Sequence, residues 1–142
     1  MRAGKASAEP SRHEDPCGSE TILLVEDEPQ VLDLFKRILE ACGYRVLAAG
    51  DGETALRLSQ RHQGEVHLAI VDVVMPLMGG HEVVRQMAPT HPAMKVIYMS
   101  GYSRRMVAGQ IDPDAVYIQK PVTVGGLARR VREVLDAPQP AR

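Results

Sequence analysis

Four short stretches carry residues able to do chemistry, and each closes or closely follows an apolar run. Glu26-Asp27 follows Thr21–Val25, Asp72 follows Leu68–Val71, Ser100-Gly101 follows Val96–Met99, and Lys120-Pro121 follows Val116–Ile118. In an open α/β sheet the ligand site lies beyond the carboxyl ends of the strands, so these residues would converge on one edge. Two carboxylates about 4 Å apart repel by roughly 4 kcal/mol at an effective dielectric near 20. Three together therefore call for proton uptake or a cation. With hard oxygen ligands the natural cation is Mg²⁺. Mg²⁺ and the Lys120 ammonium would neutralise a phosphoryl group, which makes an aspartate of the cluster a covalent phosphate acceptor, since carboxylate nucleophiles form aspartyl phosphates.

The elements that must position these groups are legible as periodicity. The four runs above and Tyr44–Ala48 are short and mostly rich in β-branched residues, as in strands buried on both faces of a parallel sheet. Between them run helical patterns. Pro29–Cys42 places Val31, Phe35, Ile38, Leu39 and Cys42 on one face, with Pro29 near its start and Gly43 after its end. Weaker patterns cover Gly52–Arg61 and Gly80–Ala88, and a last one carries Leu127, Val131, Val134 and Leu135. Five strands alternating with helices predict one doubly wound α/β domain over 21–136. Residues 1–20 contain no Leu, Ile, Val or aromatic side chain and read as a tail or linker, and 137–142 as a frayed end.

Composition narrows the function. Of 17 basic and 18 acidic residues, fourteen of each sign lie from Thr21 onward, so the domain has no electrostatic footprint for nucleic acid or an anionic membrane. Arg129, Arg130 and Arg132 read as a solvated helix end favoured by the macrodipole. The five histidines (His13, His62, His67, His81, His91) show no ligand spacing and read as surface groups. Cys17, in the polar segment, and Cys42, at a helix end, read as reduced thiols rather than a disulfide. There is no apolar targeting core and no run near the ~18 apolar residues of a membrane helix, which makes a cytoplasmic location the default expectation.

The segments LLVEDE (23–28), VDVVMPLMGG (71–80), VIYMSGYS (96–103) and YIQKP (117–121) resemble, in order and spacing, a response-regulator receiver domain over Thr21 to Leu135. The resemblance implies a flavodoxin-like (βα)5 fold with strand order 2-1-3-4-5. It implies that Asp72 accepts a phosphoryl group from a phosphohistidine. It further implies that Asp27, Asp72 and the carbonyl of Val74 bind Mg²⁺ directly, with Glu26 helping through water. Lys120 would pair with one phosphoryl oxygen and the Ser100 hydroxyl would move onto another. Tyr117 matches the switch aromatic, and Lys120–Pro121 a peptide bond that is cis in the family. Val74 and Tyr102 occupy the positions that most often govern hydrolysis of the aspartyl phosphate.

Some positions depart from the family pattern. Gly79 stands where a capping side chain is common, so the third helix should start loosely. Gly125 and Gly126 weaken the start of the last helix. Residues 104–115 hold only a faint helical pattern, so the fourth helix should be short.

Competing classes fare worse. A haloacid-dehalogenase-type phosphatase needs a second Asp where Val74 stands, and a flavodoxin phosphate loop would not be Glu26-Asp27-Glu28. A receiver-like binding module without phosphorylation would not need Asp27, Asp72, Ser100 and Lys120 together. The chain therefore reads as a phosphoacceptor switch and not an enzyme, with a sensor histidine kinase or histidine phosphotransfer domain as partner. A DNA-binding domain after the last helix is not expected. The wording YMSGYS, IDPDAVYIQKPVT and LARRVREVL resembles the C-terminal receivers of hybrid histidine kinases more than a free-standing regulator. Oligomeric state stays open.

Overall fold

The computed structural model describes residues 17–138. The other residues of the expected tail and frayed end, 1–16 and 139–142, lie outside the described residues. In chain order the elements are β1 (Thr21–Val25), α1 (Pro29–Ala41), β2 (Arg45–Ala49), α2 (Gly52–Arg61), β3 (Leu68–Asp72), α3 (Gly80–Met87), β4 (Lys95–Ser100), α4 (Arg104–Val107), β5 (Val116–Gln119) and α5 (Val124–Asp136). The five strands form one parallel sheet in the order β2-β1-β3-β4-β5, the doubly wound topology expected.

Strand alternation splits the core into two layers. Ile22 and Leu24 of β1 face Phe35, Ile38, Leu39, Leu127 and Val131 of α1 and α5. Leu23 and Val25 face the opposite layer, with Ala55 of α2, Val83 and Met87 of α3 and Val107 of α4. Only β1 and β3 are buried along their whole length; β2 and β5 are the sheet edges, and Arg45 is exposed. The expectation of burial on both faces thus fails for the edge strands, which have a neighbour on one side only.

The fourth helix is a single turn, continued as a 3₁₀ turn over Ala108–Gln110. Helix α3 has Gly79 at its N-cap and no side-chain cap, as read from the sequence. Its neighbour Gly80 has a positive reason to be glycine: a Cβ there would come within 2.3 Å of the Asp72 carbonyl oxygen, so the start of α3 lies directly against the end of β3.

Three surface readings are corrected. His91 is buried, its Nε2 3.2 Å from the Ser59 carbonyl oxygen between α2 and the segment after α3, while His62 and His67 are half-buried and only His81 of the described histidines is exposed. His67 Nδ1 accepts the Thr21 amide at 3.0 Å. Arg132 is not a solvated helix end. It donates to both Glu20 carboxylate oxygens at 3.1 and 2.7 Å, to Asp136, to the Tyr44 hydroxyl at 3.3 Å and to the Cys17 carbonyl at 3.2 Å. The last residues expected in the linker are accordingly held by the domain: Gly18 N donates to the Cys42 carbonyl and Arg45 N to the Glu20 carbonyl.

Candidate functional site

Strand order reverses between β1 and β3, and their carboxyl ends open a crevice there. Glu26 and Asp27 leave β1 into this crevice and Asp72 ends β3. One carboxylate oxygen from each of the three lies within 4.8 Å of the others. The neighbouring strands add their own ends. β4 closes on Ser100, whose carbonyl accepts the Lys120 amide at 2.8 Å. The Lys120–Pro121 peptide is cis, as the resemblance implied.

The three acids are not equivalent. Asp27 is exposed, whereas the Glu26 and Asp72 side chains are 1% and 7% exposed. Lys120 Nζ lies 2.8 Å from Glu26 Oε1 and 3.2 Å from Asp72 Oδ2, joining the two buried carboxylates with one ammonium. Glu26 Oε2 accepts the Glu28 amide at 3.1 Å and Asp72 Oδ1 the Val74 amide at 3.2 Å. Burial drives the Glu26 carboxyl up to about 7 against the pull of the Lys120 hydrogen bond, with the Asp72 charge adding to the rise. Burial disfavours the Lys120 ammonium too, but Glu26 and Asp72 outweigh it and hold the amine above its ordinary value. The lysine thus stays charged between two buried acids, while burial, with the Asp72 charge adding to it, leaves Glu26 favouring its neutral form. The expected role of Glu26 through water is therefore joined by a direct one, as the anchor of Lys120.

A cavity of about 590 Å³ opens over this cluster, lined by Asp72, Val74, Ser100, Tyr102 and Lys120 together with Val31, Leu34 and Phe35 of α1 and Pro121 and Val122. Ser100 Oγ accepts the Tyr102 amide at 3.0 Å, which leaves the hydroxyl proton available to a group in the cavity. Tyr117 does not line the cavity. Its hydroxyl donates to the Tyr102 carbonyl, tying the β5 aromatic to the loop that leaves Ser100. Leu34, 52% exposed, and Val122 were not singled out from the sequence. The signal available was the apolar i, i+3 pair Val31–Leu34 immediately after the acidic motif. Leu77, in the loop after Asp72, has φ 69° and an exposed side chain.

The residues fit a hard divalent cation. All donors are oxygens, two carboxylates are buried, and one lysine cannot neutralise three acids.

Comparison with known proteins agrees with this geometry. Residues 22–132 match the response regulator receiver domain family. The chain is 40% identical over 124 residues to the sensor kinase CckA of Brucella abortus, an overlap of 86% of this chain and 13% of that protein, so it spans only a small part of that relative. The crystal structure of the receiver domain of the hybrid histidine kinase CckA superposes with a TM-score of 0.71 at 34% identity, covering 82% of this chain and 99% of that one. The response regulator TrrA of Thermotoga maritima, crystallised in complex with Mg²⁺-BeF, superposes with a TM-score of 0.66 at 29% identity, covering 81% and 98%. No described helix is long and apolar enough to cross a membrane.

Proposed function

The chain belongs to the response regulator receiver domain family of two-component signalling, and from that premise we propose that Asp72 is its phosphoryl acceptor and that Glu26, Asp27, Asp72 and the Val74 carbonyl hold Mg²⁺. The observation that carries this reading is the convergence of three carboxylates within 4.8 Å at the strand-order switch point, with Lys120 bonded to two of them. When bound, Mg²⁺ would supply the positive charge that lets an anionic phosphoryl group enter an acidic cluster.

The rest is done by the chain. The Asp72 carboxylate forms a bond to phosphorus as the bond from phosphorus to the donor imidazole nitrogen breaks and that nitrogen keeps the electron pair. Lys120, already 3.2 Å from Asp72, pairs with a phosphoryl oxygen. Ser100 donates its hydroxyl to another. That movement disturbs the Ser100–Tyr102–Tyr117 chain of hydrogen bonds, which is how occupancy at Asp72 would reach the β5 face. Val74 and Tyr102, both lining the cavity, set the access of hydrolytic water.

The donor is a phosphohistidine of a sensor histidine kinase or a histidine phosphotransfer domain, and the cytoplasmic receiver of a hybrid histidine kinase is the setting favoured by the CckA relatives. The domain acts as a switch, with neither nucleic-acid contact nor a turnover reaction of its own. The test is incubation of the chain with Mg²⁺ and acetyl phosphate. The expected result is a gain of one phosphoryl mass, labile to hydroxylamine, that Asp72→Asn abolishes while the fold survives the nearly isosteric change. Undiminished uptake by that variant overturns the assignment.

A further inference from the structure

At the other end of the sheet, away from Asp72, the fold brings together the chain's two cysteines. Gly18 N donates to the Cys42 carbonyl at 3.1 Å, and Arg132 fixes the preceding carbonyl, that of Cys17, at 3.2 Å. The amide nitrogen of Gly18 is two bonds from the Cys17 Cα and the accepting oxygen two bonds from the Cys42 Cα, so the two Cα atoms are within about 8 Å of each other. A disulfide spans Cα separations of about 4.4–6.8 Å, a range that lies within this bound, and Cys17 is the exposed partner. The approach is built into the turn. Gly43 has φ 99°, and a Cβ on it would come within 2.5 Å of the Gly18 carbonyl oxygen, so a glycine here permits both the left-handed turn and the close passage of 17–18 over 42–43.

We propose that Cys17 and Cys42 form a redox-dependent pair, oxidised by low-molecular-weight disulfides, whose bridge clamps the segment entering β1 onto the α1–β2 turn. The Cys17 thiolate attacks a sulfur of oxidised glutathione, breaking its S–S bond and releasing one glutathione thiolate. The Cys42 thiolate then attacks the Cys17 sulfur of the mixed disulfide and releases the second. The two protons lost by the cysteines end on the two glutathiones, and the protein loses two electrons as oxidised glutathione gains two.

The decisive measurement is the effective concentration of the cysteine pair, from equilibration of the full chain in glutathione redox buffers, natively and in urea, read by mass spectrometry. In the unfolded chain the pair behaves as the ends of a flexible loop, with an effective concentration of order millimolar. The expected native value is at least tenfold higher, which by linkage is about 1.4 kcal/mol of stabilisation of the fold by the bridge. Cys17→Ser and Cys42→Ser should give mixed disulfides only, and phosphoryl uptake at Asp72 should be unchanged by oxidation, since the two sites lie at opposite ends of the sheet. A native value equal to or below the unfolded one, or oxidation that stops at a Cys17–glutathione adduct in the unmutated chain, overturns the proposal.

Discussion

Glu26 bears the strongest electrostatic conflict in the site, and its consequences are measurable. Its folded pKa, about 7, lies above the ordinary 4.5, so folding favours the protonated acid. That contribution is fully present below pH 4.5 and is lost as pH rises through about 7, a swing on the order of 3 kcal/mol at 1.36 kcal/mol per unit. Glu26→Gln keeps an acceptor for Lys120 but cannot ionise. In metal-free buffer the variant should match wild type near pH 4.5 and exceed it at pH 8, by urea unfolding; a difference that does not change with pH would refute the burial argument. A second residue-scale prediction concerns Val74. It has no group to hold an attacking water, and Tyr102 beside it is bulky enough to cover the approach, so loss of the phosphoryl group should be slow. Val74→Asn should speed it several-fold in a decay assay at saturating Mg²⁺, and an unchanged or slower decay would show that water positioning at this residue does not control the rate.

Helix α5 owes part of its docking to a side chain whose sequence context pointed elsewhere. The Arg132 side chain is 20% exposed and its pairing with Glu20 holds that carboxyl below its ordinary value against the opposing effect of burial. Arg132→Met, which keeps the apolar stem, should cost about 2 kcal/mol, because Glu20 and Tyr44 are left without their partner. The Glu20 part of this cost is present above the ordinary carboxylate pKa and fades as pH falls and Glu20 is protonated, so the deficit should shrink in acid; a deficit equal at pH 7 and pH 3 would assign it to packing alone. The element scale also shows what periodicity reveals. The strands, the face of α1 carrying Phe35, Ile38 and Leu39, and the strand-end placement of Glu26, Asp72, Ser100 and Lys120 follow from local pattern and parallel-sheet topology, and were legible. Burial of His91 against Ser59, the Arg132–Glu20 pair and the approach of Cys17 to Cys42 were not. Each joins positions far apart in the chain through side-chain chemistry or a turn, and neither composition nor period encodes such pairings. The edge strands were misjudged for a related reason: Tyr44–Ala48 reads as apolar as an inner strand, and only strand order makes it an edge.

In the molecule as a whole, a Mg²⁺ ion held as proposed would couple to folding, since Glu26 and Asp27 leave β1 whereas Asp72 ends β3, and only the assembled sheet brings the three acids within 4.8 Å. A ligand that binds the native state alone stabilises it by RT ln(1 + [L]/Kd), about 2.7 kcal/mol at a hundredfold excess over Kd. For a domain of this size that is a rise in melting temperature of about 10 °C, increasing with the logarithm of Mg²⁺ concentration and reversed by a chelator. The acid–base state of the cluster sets how this gain varies with pH. Glu26 is largely protonated below about 7, and a neutral acid offers Mg²⁺ less attraction than a carboxylate, so binding draws a proton off the site. The Mg²⁺-dependent rise should therefore be small near pH 5, grow through pH 7 and level off above pH 8, while the metal-free protein loses stability over the same interval. The two curves should mirror each other, because one unneutralised buried charge underlies both. Glu26→Gln should flatten both, and Asp27→Asn should abolish the Mg²⁺ response. Calorimetric melts at fixed ionic strength across pH 5 to 9 decide it: a Mg²⁺ response independent of pH, or one that persists at full size in Asp27→Asn, would place the cation away from these three carboxylates.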